Sequence, residues 1–232
     1  EITETDLLTL KDNQVAESRE IDYKAELPGK SDGAKCEFLY DVSSFANCID
    51  GDSVYGVSAL QGIPTDVRGL EIADAVQEKL RLESIIRDGI QPRIIGVATH
   101  VVSLANSKSV IVIRIPRSWI LPHMVIYQGR QRFYSRNSSG QYPLDVGELR
   151  AAFLGSAQLA ERVRDFRLER LARITGGDAP APLPDTAKLI LQIVPFSAFE
   201  PGVQFDLTTL RQDLAPLFSR RFSGPGYNFD GL

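Results

Sequence analysis

Three charged residues near the start of the chain have types and spacing suited to phosphate or metal chemistry. Glu17, Asp22 and Lys24 lie within eight residues of one another. If residues 21–25 form a strand, Asp22 and Lys24 share a face, because side chains two positions apart on a strand point the same way. A carboxylate there suits a divalent cation such as Mg²⁺ or Mn²⁺, and an ammonium group suits a phosphate. The alternative is a structural ion pair that anchors the first strand.

A second group of residues combines arginine with aromatic and hydroxyl side chains. Between Lys108 and Arg136 there are six basic residues and no acidic one. Arginine forks bind phosphate oxygens, whereas aromatic rings either stack on bases or fill a core. The hydroxyls of a polar turn can add phosphate donors. The candidate nucleic-acid contacts are therefore Lys24, Arg114, Arg117, Arg130, Arg132, Tyr134, Arg136, Ser138 and Ser139.

The distribution of charge matters more here than its total. The net charge of −4 argues against a uniformly basic nucleic-acid binder. Residues 1–100 hold 10 Lys and Arg against 19 Asp and Glu, whereas residues 101–150 hold 7 against 2. This contrast predicts an anion-binding face formed by the second segment, with Arg130, Arg132 and Arg136 contacting phosphate from one hairpin.

The elements that must position these residues follow from hydrophobic periodicity. Apolar residues three and four apart predict helices over residues 34–47 and 70–88. Alternating or β-branched runs predict strands near residues 20–25, 53–58, 93–104, 108–115 and 124–136. Turns are expected at Asn106-Ser107 and Gln128-Gly129, and Gly56 leaves room for another backbone. Because the strands come as hairpins separated by single helices, we predict an α+β fold with one mostly antiparallel sheet.

Five short motifs, in order, carry a resemblance to a known family. They begin with Glu17, Asp22 and Lys24, and continue through FAN at residues 45–47 and VYGV at residues 54–57. The last two are Pro122-His123 and the FYSRNSS run at residues 133–139. Over roughly residues 15–153 this pattern resembles the Schlafen-type AlbA-like DNA-binding domain of bacterial proteins. The resemblance implies nucleic acid as partner, DNA or RNA, with no cofactor needed.

The same resemblance raises the question of catalysis. Nuclease members of the Schlafen family use two acids of this opening motif and a third acid on the strand after the GV pair. Here Glu17 and Asp22 match the first two, and they are the only candidate metal ligands and, with Lys24, the candidate catalytic residues. Ser58 and Ala59 stand where the third acid belongs. We therefore expect no efficient nuclease, with a Mg²⁺- or Mn²⁺-dependent endoribonuclease as the alternative.

The composition of the chain and its Gly- and Pro-rich stretches suggest where domains and linkers lie. We expect a domain over residues 1–155, a connecting helix over 156–175, a linker over 176–186 and an extension over 187–232 that starts a further region. The two cysteines, with two histidines, form no recognisable zinc pattern and predict free thiols in a cytoplasmic protein. No apolar run approaches the ~18 residues of a membrane helix, so no membrane partner is expected.

Three functions are compatible with these features. The first is a nucleic-acid-binding module of a bacterial regulatory or defence protein, such as a transcriptional regulator. The second is the metal-dependent nuclease, and the third is a protein-interaction or homo-oligomerisation module. Salt-dependent nucleic-acid binding, metal-dependent cleavage and stable self-association, respectively, distinguish them.

Overall fold

A computed structural model describes residues 2–177 and 194–199 of the chain. The chain divides into two compact units, Glu1–Ser156 and Ala157–Leu232. In chain order the elements are α1 (Glu4–Asp12), β1 (Ile21–Lys24), α2 (Asp32–Cys48), β2 (Gly51–Tyr55), β3 (Val57–Leu60), β4 (Ile63–Val67), α3 (Ala75–Gly89), β5 (Ile90–Gln91), β6 (Ala98–Ser103), β7 (Ser109–Ile115), β8 (Met124–Tyr127), β9 (Arg130–Asn137), β10 (Gly140–Pro143), α4 (Val146–Thr175) and a 3-10 turn (Phe196–Phe199).

In the part of the chain that the structure describes, the strands form two four-stranded sheets and a separate hairpin. The first sheet has the order β1-β2-β7-β6, in which only the β1–β2 pair is parallel. The second sheet has the order β10-β9-β8-β5 and is antiparallel throughout. Among the strands of the described residues, β3 and β4 pair only with each other. The predicted α+β class with mostly antiparallel strands is therefore confirmed.

The side chains of strand β7 point alternately into two hydrophobic cores, one on each face of the strand. Ile111, Ile113 and Ile115 pack into the core that contains α2, whereas Val110 and Val112 pack into the core that contains Leu7 of α1. Side chains on a strand alternate between faces, so one β-branched run supplies both cores. Arg114 continues the valine face at the exposed end of the strand.

The single sheet that the sequence predicts is divided in two. Pro116 follows β7 directly, and because proline has no N–H the ladder cannot continue through it. The chain resumes at β8 in the other sheet. The predicted strand over residues 53–58 also divides, because Gly56 has φ +100 and separates β2 from β3. As expected, another backbone approaches Gly56, since the Gly69 N–H donates to its carbonyl at 2.9 Å.

Several element boundaries differ from those expected. The strand predicted to start at residue 93 starts at Ala98, after Gly96 with φ +87. The expected two-residue turn at Asn106-Ser107 is a five-residue loop, since Ser103 pairs with Ser109. The helix predicted over residues 70–88 begins five residues later, where the Asp74 carboxylate accepts from Val76 and Gln77 N–H groups. The turn at Gln128-Gly129 is confirmed.

Helix α4 is thirty residues long and contains no buried residue. Asp145 and Glu148 form a reciprocal cap at the start of the helix, each side chain accepting from the other's backbone N–H at 2.8 and 2.9 Å. In the second unit, the Phe166 and Phe199 rings meet edge to face at 5.5 Å. No helix in the described ranges is long and apolar enough to span a membrane. The predicted linker and extension lie outside the described residues, except for 176–177 and 194–199.

Candidate functional site

A groove of about 830 Å³ lies beside β1 and α2 in the first unit. We call it the central groove. The turn before β10 and the β3–β4 turn complete its walls. Five carboxylates and two cationic groups line it: Glu17, Asp22, Glu26, Glu37 and Asp41, with Lys24 and Arg136. The groove therefore carries an excess of negative charge.

The floor of the central groove is an ion-paired cluster. Asp22 and Lys24 point to one face of β1, as their spacing predicts, and the Lys24 Nζ lies 3.0 Å from Asp22 Oδ2. The same Nζ lies 3.2 Å from Oδ2 of Asp41 on α2. Burial alone would lower the pKa of Lys24, but the two carboxylates raise it above its usual value. Lys24 is thus a fixed cation between two acids.

Asp41 is the member of this cluster that sequence reasoning missed. Burial raises its pKa from 3.8 to about 6, although Lys24 acts in the opposite direction. The signal in the sequence was a lone carboxylate between Tyr40 and Val42, in the middle of an apolar helical run. A charged residue at such a position is rare unless it is paired.

Glu17 lines the groove, and its side chain and its own N–H are hydrogen-bonded to the backbone. Its Oε1 accepts from the Tyr23 N–H at 3.1 Å, and its own N–H donates to the Gly62 carbonyl at 2.7 Å. These bonds join the start of β1 to the β3–β4 turn. Glu17 therefore has an architectural task beside any chemical one.

Arg136 is nearly inaccessible, with 3% of its surface exposed. Its guanidinium lies over the Phe45 ring at 3.6 Å, and Nε and Nη1 have no hydrogen-bond partner in the described structure. Burial lowers its pKa, although Asp22 and Asp41 favour the charged form. Arg136 therefore places a buried positive charge, with unsatisfied donors, against the groove.

The other candidates on β9 lie along helix α2. Tyr134 stacks on Tyr40 with ring centroids 4.1 Å apart, and is buried. The Arg130 Nη1 donates to the Tyr40 hydroxyl at 3.1 Å. Arg130 and Arg132 are both exposed. The structure thus separates two exposed arginines of the hairpin from the buried Arg136.

Two further arginine candidates lie away from this hairpin. Arg114 is on the valine face of β7, where its Nε and Nη2 donate to the Asp52 carboxylate at 2.9 and 2.8 Å. Arg117 follows β7, and its guanidinium lies over the Trp119 ring at 4.8 Å. Ser138 and Ser139, by contrast, line the central groove in the turn before β10. The Ser139 N–H donates to the Asn137 side chain at 2.8 Å.

The FAN motif at residues 45–47 and the Pro122-His123 motif are joined by hydrogen bonds. The Asn47 side-chain amide donates to the carbonyls of His123 and Tyr134 at 2.9 and 2.8 Å, and its Oδ1 accepts from the His123 N–H at 2.7 Å. His123 is fully buried, its Nδ1 lies 2.6 Å from the Pro92 carbonyl, and burial lowers its pKa. These residues tie the end of α2 to the second sheet.

The groove does not fit a bound divalent metal. Within residues 2–177 and 194–199, no group of three His, Cys, Asp or Glu side chains is arranged to hold a metal ion. The Lys24 ammonium lies between Asp22 and Asp41, and Glu17 is bonded to backbone. Ser58 and Ala59 lie on β3, paired with Asp66 and Pro64 of the separate hairpin.

The first unit is thus an α+β domain with a charged groove between a sheet edge and a central helix. A family model described as Schlafen, AlbA_2 matches residues 17–145. The match covers more than half of the chain, so the chain belongs to this family. No curated protein matches it.

The crystal structure of the DIP2311 protein from Corynebacterium diphtheriae is similar at 14% sequence identity and a TM-score of 0.39. The match covers 55% of this chain and 25% of that one, so the chain matches about a quarter of that protein's length. Family membership supports a nucleic-acid-binding domain in general terms.

Proposed function

We propose that this chain is the nucleic-acid-binding module of a bacterial regulatory or defence protein acting in the cytoplasm. It holds the phosphate backbone of DNA or RNA through the β8–β9 hairpin. The observation that carries the proposal is the position of Arg130 and Arg132. Both are exposed near the start of β9, opposite Tyr127 and Val125 of β8.

The local charge of the hairpin suits a polyanion. No acidic residue occurs between Lys108 and Arg136, so the strands that carry these arginines place no carboxylate of their own beside them. Arg130 is held by the Tyr40 hydroxyl through Nη1, which leaves its other two guanidinium nitrogens available for phosphate. Guanidinium groups fixed in this way lose less side-chain entropy when they bind a phosphate.

The central groove, in contrast, does not suit a sugar-phosphate backbone. Its carboxylates outnumber its cations, and two of them are already paired with Lys24. Phosphates in the groove would face net repulsion at close range. The backbone therefore crosses the exposed arginines beside the groove and does not run along its floor.

The test is the salt dependence of binding in an Arg130→Ala/Arg132→Ala variant. Each phosphate contact contributes about 0.7 to 0.9 to the slope of log affinity against log salt. We expect the double variant to lower that slope by about 1.4 to 1.8 units and to weaken all sequences similarly. Fluorescence anisotropy with labelled DNA and RNA oligomers measures it.

The matched control is Arg87→Ala/Arg93→Ala, which removes two exposed arginines elsewhere in the same unit. The net charge changes equally in both variants, so a long-range effect of total charge would appear in both. An unchanged slope in the Arg130/Arg132 variant would show that the hairpin is not the contact surface.

A further inference from the structure

The central groove has the dimensions of a small-ligand site. Its volume of about 830 Å³ lies within the ~300 to 1,000 Å³ typical of such sites. It lies next to the strand that carries the exposed arginines, since Arg136 lines it and Arg130 begins the same strand. A nucleic acid bound at the hairpin would therefore have a groove of nucleotide size within reach.

The charges of the groove select against phosphate and favour a neutral group with N–H donors. Glu37 is exposed on α2 and lines the groove, and Glu17 and Glu26 line it from the β1 side. Carboxylates accept hydrogen bonds and donate none when ionised. A nucleobase edge carries amine and imino N–H groups but no charge, so it meets these acids without repulsion.

Arg136 supplies the hydrogen-bond donors that the carboxylates of the groove lack. Its Nε and Nη1 are buried and have no hydrogen-bond partner among the described residues. The side fork of a guanidinium uses Nε and the end fork uses Nη1, so each fork still has a hydrogen to donate. A buried donor without a partner destabilises the fold, and a ligand acceptor would offset that cost. The Phe45 ring holds the guanidinium plane in place.

Guanine is the base whose edges match both features. It presents the O6 and N7 acceptors that arginine binds, next to N1–H and an exocyclic amine that carboxylates bind. Adenine has no acceptor at the O6 position, and uracil has no exocyclic amine. Unpaired bases in single strands can be splayed out into such grooves.

We propose that the central groove binds one unpaired guanine base, with Arg136 donating to its acceptor edge and groove carboxylates accepting from its N–H groups. The inference rests on the proposed nucleic-acid binding, because the hairpin arginines hold the strand that presents the base. The same base chemistry is offered by a free guanine nucleotide, so the test includes both sources.

The experiment compares labelled oligouridine with the same strand carrying one central guanosine, adenosine or cytidine. At fixed salt we expect the guanosine strand to bind about tenfold more tightly than the other three, as one base-specific contact supports. Glu37→Gln, an exposed change that spares the fold, should reduce this preference. Arg136→Gln should abolish it, and neither variant should change the salt slope.

Guanosine monophosphate alone, titrated by calorimetry, separates the two sources. If the nucleotide releases binding heat with the parent protein and none with Glu37→Gln, the groove binds the base even when it is not part of a strand. Equal affinity for all four strands would overturn the guanine inference, while a slope that depends on Arg130 and Arg132 would leave the proposed function standing. If no strand and no nucleotide binds, both proposals fail.

Discussion

Asp41 shows how a single side chain controls the electrostatics of the groove. Its carboxylate shares the Lys24 ammonium with Asp22, yet burial still raises its pKa to about 6. The folded protein therefore holds a proton on Asp41 over a pH range in which the unfolded chain has released it. This difference makes the stability of the fold depend on pH.

The sign of that dependence follows from the two pKa values. The folded pKa of about 6 lies above the unfolded value of 3.8, so the stabilisation is complete below about pH 4. It is lost as the pH rises to about 6 and is absent at pH 7. The difference amounts to about 3 kcal/mol in the free energy of unfolding.

We predict that Asp41→Asn removes this dependence. The free energy of unfolding of the parent, minus that of the variant, should fall by about 3 kcal/mol between pH 4 and pH 7. Urea unfolding at several pH values measures it, with Asp12→Asn at an exposed position as control. Parallel curves for parent and Asp41→Asn would show that Asp41 does not titrate in this range.

Helix α2 is the element that joins the two sheets. One face carries Phe45 into the core shared with β7, and its last turn carries Asn47 to the backbone of β9 and of His123. The three Asn47 hydrogen bonds use both functions of one amide. No apolar residue of similar size could replace them.

Asn47→Ala should destabilise the fold by about 3 kcal/mol. The change leaves a His123 N–H and two carbonyls without partners in a buried region, and each such group costs about 1 to 3 kcal/mol unless water reaches it. Thermal unfolding followed by circular dichroism measures the loss. Asn13→Ala, at the exposed end of α1, is the control, and equal effects of the two changes would contradict the assigned role.

For the molecule as a whole, the arrangement of charge bears on catalysis. Metal-assisted hydrolysis needs carboxylates that fix a cation and lower the pKa of its water. In this groove Lys24 holds the position between Asp22 and Asp41, and Glu17 binds the Tyr23 backbone. The groove is acidic, but the three acids nearest its floor, Asp22, Asp41 and Glu17, already have partners.

We therefore predict no efficient cleavage of structured RNA, single-stranded RNA or DNA in either Mg²⁺ or Mn²⁺. The assay follows product formation by gel over multiple turnovers with purified protein. Robust cleavage that disappears in both Glu17→Gln and Asp22→Asn would overturn this prediction. It would establish the metal-dependent nuclease in place of a binding module.

Much of the architecture follows from local pattern. The alternation of residues 108–115 predicted both faces of β7, and the two-residue spacing of Asp22 and Lys24 predicted their shared face. The helical run over residues 34–47 matches α2 within two residues at each end. These features depend on periods of 2 and 3.6 residues, which are visible in any short window of sequence.

The groove itself depends on contacts between residues far apart in the chain. Asp41 meets Lys24 only because the fold brings α2 beside the end of β1, and Arg136 is buried because β9 packs on Phe45 of the same helix. The sequence groups Arg136 with Arg130 and Arg132 in one run of basic residues. In the structure Arg136 is buried, whereas Arg130 and Arg132 are exposed. Charge counts cannot report burial, since desolvation is a property of the packed structure.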